Sequence, residues 1–314
     1  QYIPMAFNTA LAACCIAASI LALSPQKSLL KFVRWQSLQI RVTLLAVSIF
    51  VIGIWALAFY TSAALHADLE RQLGAQQFST VSMLAAEIEG ELHDRSRTLE
   101  TTARTITPTI LGNTTVLQRS LEDHSFLIRL FFNSGAYVTG LDGVVIASIP
   151  ASIGRIGANF LNDENSDYLV AALEGNPTIG RPFVGRITKA VVIPMAVPIR
   201  DAQSKVIGAL VGVTDLTKFN FMSNIFTNRY GNAHGYLLVA PKSRLVITAS
   251  DQSRVMESLP ARGISPTLDR FIEGYEGSAI FTNPTGVEVL ASAKGVPAAG
   301  WYLAVILPTE EAFA

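Results

Sequence analysis

One strand–turn–strand beat occurs twice in this chain, and it constrains the fold more than any other feature. Ala136–Ser148, AYVTGLDGVVIAS, reads as a strand, a tight turn at Leu141-Asp142-Gly143 and a second strand. Gly235–Ser250, GYLLVAPKSRLVITAS, has the same form. Glycine suits such turns because it adopts backbone angles that other residues resist. Each hairpin leads through a helical or irregular stretch to two more strands. These are Val191–Ile199 with Val206–Thr214, then Val287–Ser292 with Trp301–Leu307. Pro194 and Pro198 donate no ladder hydrogen bond, so their strand is expected at an edge or with a bulge. Two tandem antiparallel sheet units, a small helix in each, are the expected body of the protein. A repeated sheet unit suits a sensor better than a catalyst.

The segment ahead of the repeat is apolar. Half of the 314 residues are hydrophobic and only 15% are charged, and the mean hydropathy is +0.38. Leu38–Tyr60 is uncharged after Arg41 and stays so through Leu65. That length crosses a bilayer core of about 30 Å. Trp55 and Tyr60 fall toward its outer end, where aromatic rings prefer the interface. Residues 1–24 are read as a further span, with Tyr2–Leu23 free of charge. Lys27, Lys31, Arg34 and Arg41 collect between the two with no acid, which places the loop 25–37 in the cytoplasm. The lipid bilayer is therefore an expected partner. Residues from about 61 onward are expected on its periplasmic or extracellular side.

Other classes are disfavoured. Cys14 and Cys15 are adjacent inside the first apolar stretch and are expected to pack as small apolar side chains. The histidines at 66, 93, 124 and 234 lack metal-ligand spacing, so neither a metal nor a cofactor is expected. A net charge of zero without a basic patch argues against nucleic acid. No G-x-S-x-G elbow presents a serine, which leaves a membrane-tethered hydrolase as a remote alternative and no catalytic residue to name.

Residues 61–108 read as one long signalling helix, clearest over His66–Thr107 and ended by Pro108. Leu65, Leu69, Leu73, Val81, Leu84, Ile88, Leu92, Leu99 and Ile106 form one stripe. At 1.5 Å per residue such a rod approaches about 60 Å. The stripe can pack on the sheets, form a homodimer seam, or do both in different parts. Residues 109–228 then form the membrane-distal unit and 229–314 the proximal one.

In the distal unit Asn165–Leu173 is expected to be a short helix, and Leu216–Thr227 a linking helix with Asp215 at its N-cap or at a pocket mouth. The acids Asp167 and Asp215 suit a cationic ligand, whereas Arg155, Arg181, Arg186 and Lys189 suit an organic acid. Tyr137 and Phe183 are expected as core or pocket wall.

With these elements in order, the chain resembles the double Cache sensor regions of bacterial transmembrane receptors. The stretches that carry the resemblance are GLDGVVIAS at 140–148, NSDYLVAALEGNP at 165–177, IPMAVPIRDAQSKVIGALVGVTDL at 193–216 and GWYLAVILP at 300–308. The resemblance implies an α+β fold: a membrane-anchored long helix followed by two PAS-like (Cache) sheet units. It implies anchoring in a bacterial inner membrane and small-molecule binding in the distal unit, with Asp215 holding an ammonium group and Tyr168 framing the ligand. The arginine that holds a carboxylate in the amino-acid-binding branch is Asn165 here, and the tryptophan is Asp167. The implied ligand is an amine, an amino-acid-like molecule or an organic acid. The implied output, outside these residues, is a diguanylate cyclase, then a histidine kinase, then a chemotaxis domain. A ligand-free structural or dimerisation module is the alternative.

Overall fold

The computed structural model describes residues 38–230, 235–283 and 286–312. The readings made for residues 1–37, including Cys14 and Cys15, and for His234 lie outside these. Helix α1 runs Leu38–Thr105 without interruption. The stretch 38–60 lies within it, although the side chains of 38–48 are outside the described ones. Among the described residues no helix is long and apolar enough to cross a membrane. Over 49–60, Ile49, Phe50, Ile52, Leu57 and Phe59 are all exposed apolar side chains.

Residues Gly74–Ala312 form one compact unit. Pro108 does not simply end the long helix; it opens α2 (Pro108–Leu111), capped by the Thr107 hydroxyl. Two helices that the sequence pattern does not announce follow, α3 (Thr114–Asp123) and α4 (Ser125–Phe131). The first hairpin is β1 (Ala136–Thr139) and β2 (Val145–Ile149). Helix α5 (Asp167–Leu173) and the two-residue strands β3 (Thr178–Ile179) and β4 (Phe183–Val184) come next. Then come β5 (Val191–Arg200) and β6 (Val206–Asp215). The described strands of this sheet run in the order β2-β1-β6-β5-β3, with β4 also on β5.

Pro194 and Pro198 sit where the ladder can spare them. Gly180 N–H donates to the Pro194 carbonyl at 2.8 Å, so that residue faces the outer side of β5, as Pro198 does by the period of two. Among the described residues only the short β3 and β4 pair on that side, and a register shift follows Ile199.

Helix α6 (Phe221–Tyr230) links to the second sheet. It starts later than the sequence suggests. Asn220, not Asp215, accepts from its first N–H groups, those of Met222 and Ser223. The second sheet contains β7 (Gly235–Ala240), β8 (Leu245–Ala249), β9 (Gly277–Thr282), β10 (Glu288–Val296) and β11 (Trp301–Pro308) in the order β8-β7-β11-β10-β9. Helix α7 (Pro266–Ile272) precedes β9, and α8 (Thr309–Ala312) closes the described chain.

Side-chain alternation explains how each sheet is used. On β5, Ile193, Met195, Val197 and Ile199 join a core that includes Val81, Leu84, Ile88, Leu92 and Leu99 of α1. Val192 and Ala196 join Tyr137, Phe160, Tyr168 and Leu169 on the opposite face. The second sheet repeats this: Trp301, Leu303 and Val305 face the α1 core, while Tyr302 and Ala304 join Phe271 on the far side. One continuous apolar core therefore runs along α1 and touches both sheets. Each sheet keeps a second face for a small helix and loops.

Candidate ligand-binding site

The far face of the first sheet holds a small cavity. Tyr137 of β1, Tyr168 of α5, Phe183 of β4 and Arg186 line it, together with Arg155, Phe160 and Thr188. Its volume is about 30 Å³, room for roughly two water molecules. Tyr137 and Tyr168 share a hydroxyl–hydroxyl hydrogen bond of 2.8 Å. Burial is the main reason both phenols resist ionisation: the Tyr168 pKa is pushed up to about 12, and that of Tyr137 is well above its usual value. Both remain O–H groups at any physiological pH. Phe160 packs on Tyr137 with ring centroids 5.1 Å apart, and Phe183 stacks on Tyr168 at 6.1 Å.

Arg155 reaches the cavity because of its loop. Gly154 and Gly157 flank it at φ 76° and 84°, in the left-handed region that glycine tolerates. The loop is tied to β2 by Val145 N–H to the Ala158 carbonyl and by Gly157 N–H to the Val145 carbonyl. Arg155 is 2% exposed. Its Nη1 donates to the Ser134 carbonyl at 2.9 Å and its Nη2 to Ser134 Oγ at 3.1 Å. Its guanidinium carbon lies 5.5 Å from the Tyr137 ring centroid. Burial, which disfavours the charge, lowers its pKa.

Four of the six residues singled out from sequence, Tyr137, Tyr168, Phe183 and Arg186, meet at this cavity. Arg186 sits at its rim, half exposed, with Nη1 2.9 Å from the Asp163 carboxylate. Asp167 and Asp215 are not among the lining residues. Asp167 is exposed and pairs with Arg181 at 3.6 Å. Asp215 is buried, but its Oδ1 accepts from Thr217 N–H at 2.9 Å and Thr217 O–H at 2.6 Å, while Lys218 lies 3.4 Å from Oδ2. Its backbone is clasped by Asn133, which accepts from Asp215 N–H and donates to the Asp215 carbonyl. In the sequence Arg155 is one cation among several, with nothing to set it apart. Phe160 and Thr188 were missed, since nothing in the sequence marks which loop residues turn inward.

The second sheet treats the corresponding face differently. Arg244 of the β7–β8 turn sits 2.9 Å from the Asp269 carboxylate of α7 and also donates to the Pro260 carbonyl. The other Asp269 oxygen accepts from Gly263 N–H at 2.6 Å. That backbone bond, then Arg244, holds the Asp269 carboxyl below its ordinary value. A depressed acid stabilises the fold above its unfolded pKa of about 4 and loses that contribution as pH falls through the folded value. Asp269→Asn is therefore expected to lower the thermal midpoint at neutral pH. The gap from wild type should stay constant down to about pH 5 and close below about pH 4. Melting curves across that range check it. A gap independent of pH would show that the carboxylate charge contributes nothing.

Among the described residues no group of three or more His, Cys, Asp or Glu side chains is placed to hold a metal ion. No curated protein matches the chain. Several solved structures share its fold at low identity. The ligand-binding domain of the Pseudomonas fluorescens chemoreceptor CtaA, in complex with L-isoleucine, is 18% identical with a TM-score of 0.59, over 81% of this chain and 98% of that one. The ligand-binding domain of the Pseudomonas aeruginosa PAO1 amino acid chemoreceptor PctB, in complex with L-Arg, is 18% identical with a TM-score of 0.60, over 78% and 98%. An extracellular ligand binding receptor from Desulfohalobium retbaense is 13% identical with a TM-score of 0.56; 74% of this chain matches only 40% of that one. At these identities the likeness is one of fold. The model of the Cache domain family matches residues 61–314, and with two PAS-like antiparallel sheets in tandem this chain belongs to the Cache domain family.

Proposed function

We propose that this chain is the extracytoplasmic sensing region of a transmembrane signalling receptor that binds a small molecule in its distal cavity. The observation that carries the reading is the double use of the first sheet. One face lines the cavity and the other packs on α1. A ligand that reshapes the first face is felt by the helix behind the second. Named relatives of the same fold hold amino acids, which supports small-molecule binding as the role. Signalling requires that the ligand bind two states unequally.

The apolar stretch 38–60 anchors the chain in a bacterial inner membrane in this reading, with α1 continuing from it on the far side. Leu65 and Leu69, both exposed on α1, offer a homodimer seam. A second apolar stretch at Tyr2–Leu23 favours a diguanylate cyclase output, with a histidine kinase next. The relatives are chemoreceptors, which makes a chemotaxis output the competing assignment.

Thermal-shift screening of the full chain in detergent tests the sensor reading against amino acids, amines, organic acids and purines. A specific hit weakened by a cavity substitution supports it. A folded chain that answers to no class overturns it in favour of a structural or dimerisation module, and turnover of any compound would reopen the hydrolase alternative.

A further inference from the structure

We infer that the occupant of the distal cavity is a small carboxylate anion carrying no ammonium group, held by the Arg155 guanidinium and the Tyr137–Tyr168 hydroxyl pair. This rests on the sensor reading above and narrows its ligand.

The contrast among inward-facing arginines points there. Arg95 of α1, 4% exposed, pairs with Glu91. Arg244 in the second sheet pairs with Asp269. Arg155, 2% exposed, has the carbonyl and hydroxyl of Ser134 as its hydrogen-bond acceptors, and among the described residues no carboxylate pairs with it. A guanidinium taken out of water without a counter-charge is costly, and its planar fork matches a carboxylate. The second unit repeats the loop after its first hairpin, and there the place of Arg155 is taken by Arg254, which pairs with Glu257.

The tyrosine pair adds a donor. Two hydroxyls share one hydrogen bond, which uses one proton and leaves the other O–H free to turn toward an anion. The Arg155 guanidinium carbon lies 5.5 Å from the Tyr137 ring centroid, and all three side chains line the cavity, so the three groups converge. Acceptors for an ammonium are lacking by the same count. Among the described residues no Asp or Glu lines the cavity; Asp163 at its rim is paired with Arg186 at 2.9 Å, and Asp167 and Asp215 are committed to Arg181, Thr217 and Lys218. An amino acid would bring its cation beside Arg155, and to receive it Asp163 would have to give up Arg186. The small volume favours a short acid, and even propionate must displace part of the lining between residues 183 and 188.

Propionate, L-alanine and propylamine share a three-carbon frame and differ in charged groups. Calorimetric titration of the full chain with each, in carboxylate-free buffer, tests the inference. Propionate is expected to bind, L-alanine at least tenfold more weakly, and propylamine not at all. Arg155→Gln should abolish propionate binding and Arg155→Lys should restore part of it. Arg155 also tethers Ser134, so Arg155→Gln counts only if its melting curve shows a folded chain. Tyr168→Phe keeps the ring and should weaken propionate at least fivefold. L-alanine binding as tightly as propionate, or Tyr168→Phe binding propionate like wild type, overturns the inference and leaves the sensor reading standing. A purine or amine hit without any acid hit does the same. A folded chain that binds none of the three, nor any compound in the wider screen, removes both.

Discussion

Phe132→Ala is expected to cost about 3–5 kcal/mol of folding stability, the range for deleting a fully buried aromatic side chain. In a unit of this size that lowers the thermal midpoint by roughly 10 °C. Phe132 follows α4, is 0% exposed and belongs to the core shared with α1. Its ring lies on the central strand β6 at Gly212. A Cβ there would come within 2.6 Å of ring carbon Cε1, closer than any real contact. The glycine is thus half of a knob-and-hole pair in which the sheet gives up a side chain so that the ring can touch backbone. Gly212→Ala alone should cost about 1–3 kcal/mol by overpacking. In the double variant Phe132→Ala/Gly212→Ala the new methyl enters the space left by the ring. Its loss should fall short of the sum of the single losses by about 1 kcal/mol or more. Denaturant unfolding of the four chains completes the cycle. Additivity within about 0.5 kcal/mol would show that the ring swings away freely and that Gly212 is not there for it.

This pair marks the limit of what the sequence discloses. The sheets were legible because apolar strands with both faces buried leave long Val, Ile, Leu and Ala runs such as 191–199 and 206–214. The long helix was legible from its stripe. Helices α3 and α4 were not: each is ten residues or fewer, too short for periodicity to stand out. The start of α6 was misplaced because two Asx signals, Asp215 and Asn220, lie five residues apart and only the second caps it. The site shows the same division. Tyr137 and Tyr168 reach the cavity from the strand and the short helix that their sequence neighbours predict, whereas Phe183 comes from the two-residue β4, too short for any pattern to mark. Asp215 ends its strand as expected, yet its carboxylate turns back to Thr217 and Lys218. Arg155 depends on a loop whose path is set by hydrogen bonds to β2 and Ser134, contacts between residues about ten to twenty apart that no local pattern encodes.

Arg95 is where the apolar stripe of α1 is broken, and its replacement should show what the break is for. The stripe steps through Ile88, Leu92 and Leu99, and Arg95 occupies the buried position between the last two. Its Nε donates to the Phe131 carbonyl at 3.1 Å, at the end of α4. Its Nη1 bonds the Glu91 carboxylate and, at 2.9 Å, the Glu91 carbonyl. The guanidinium carbon lies 3.8 Å from the Phe221 ring centroid and 5.4 Å from that of Phe131. One side chain therefore joins the long helix to α4 and to α6, the segment leading into the second sheet. Hydrogen bonds to a charged group contribute about 1.5–3 kcal/mol and a desolvated cation–π contact up to about 2. Part of that is offset by no longer burying the charge. Arg95→Ala is expected to lose about 3 kcal/mol, and the exposed Arg104→Ala less than about 0.5. Arg95→Met keeps the apolar stem and should recover about a third of the loss, because stem packing is the smaller share of the contact. Hydrogen exchange should accelerate at 92–105 and at 221–226 together in Arg95→Ala, as expected if one side chain fastens both. Faster exchange confined to 92–105, or an Arg95→Ala chain as stable as Arg104→Ala, would show that the long helix and the linking helix are held independently, and that a signal passing from the first sheet to the second runs through the shared apolar core instead.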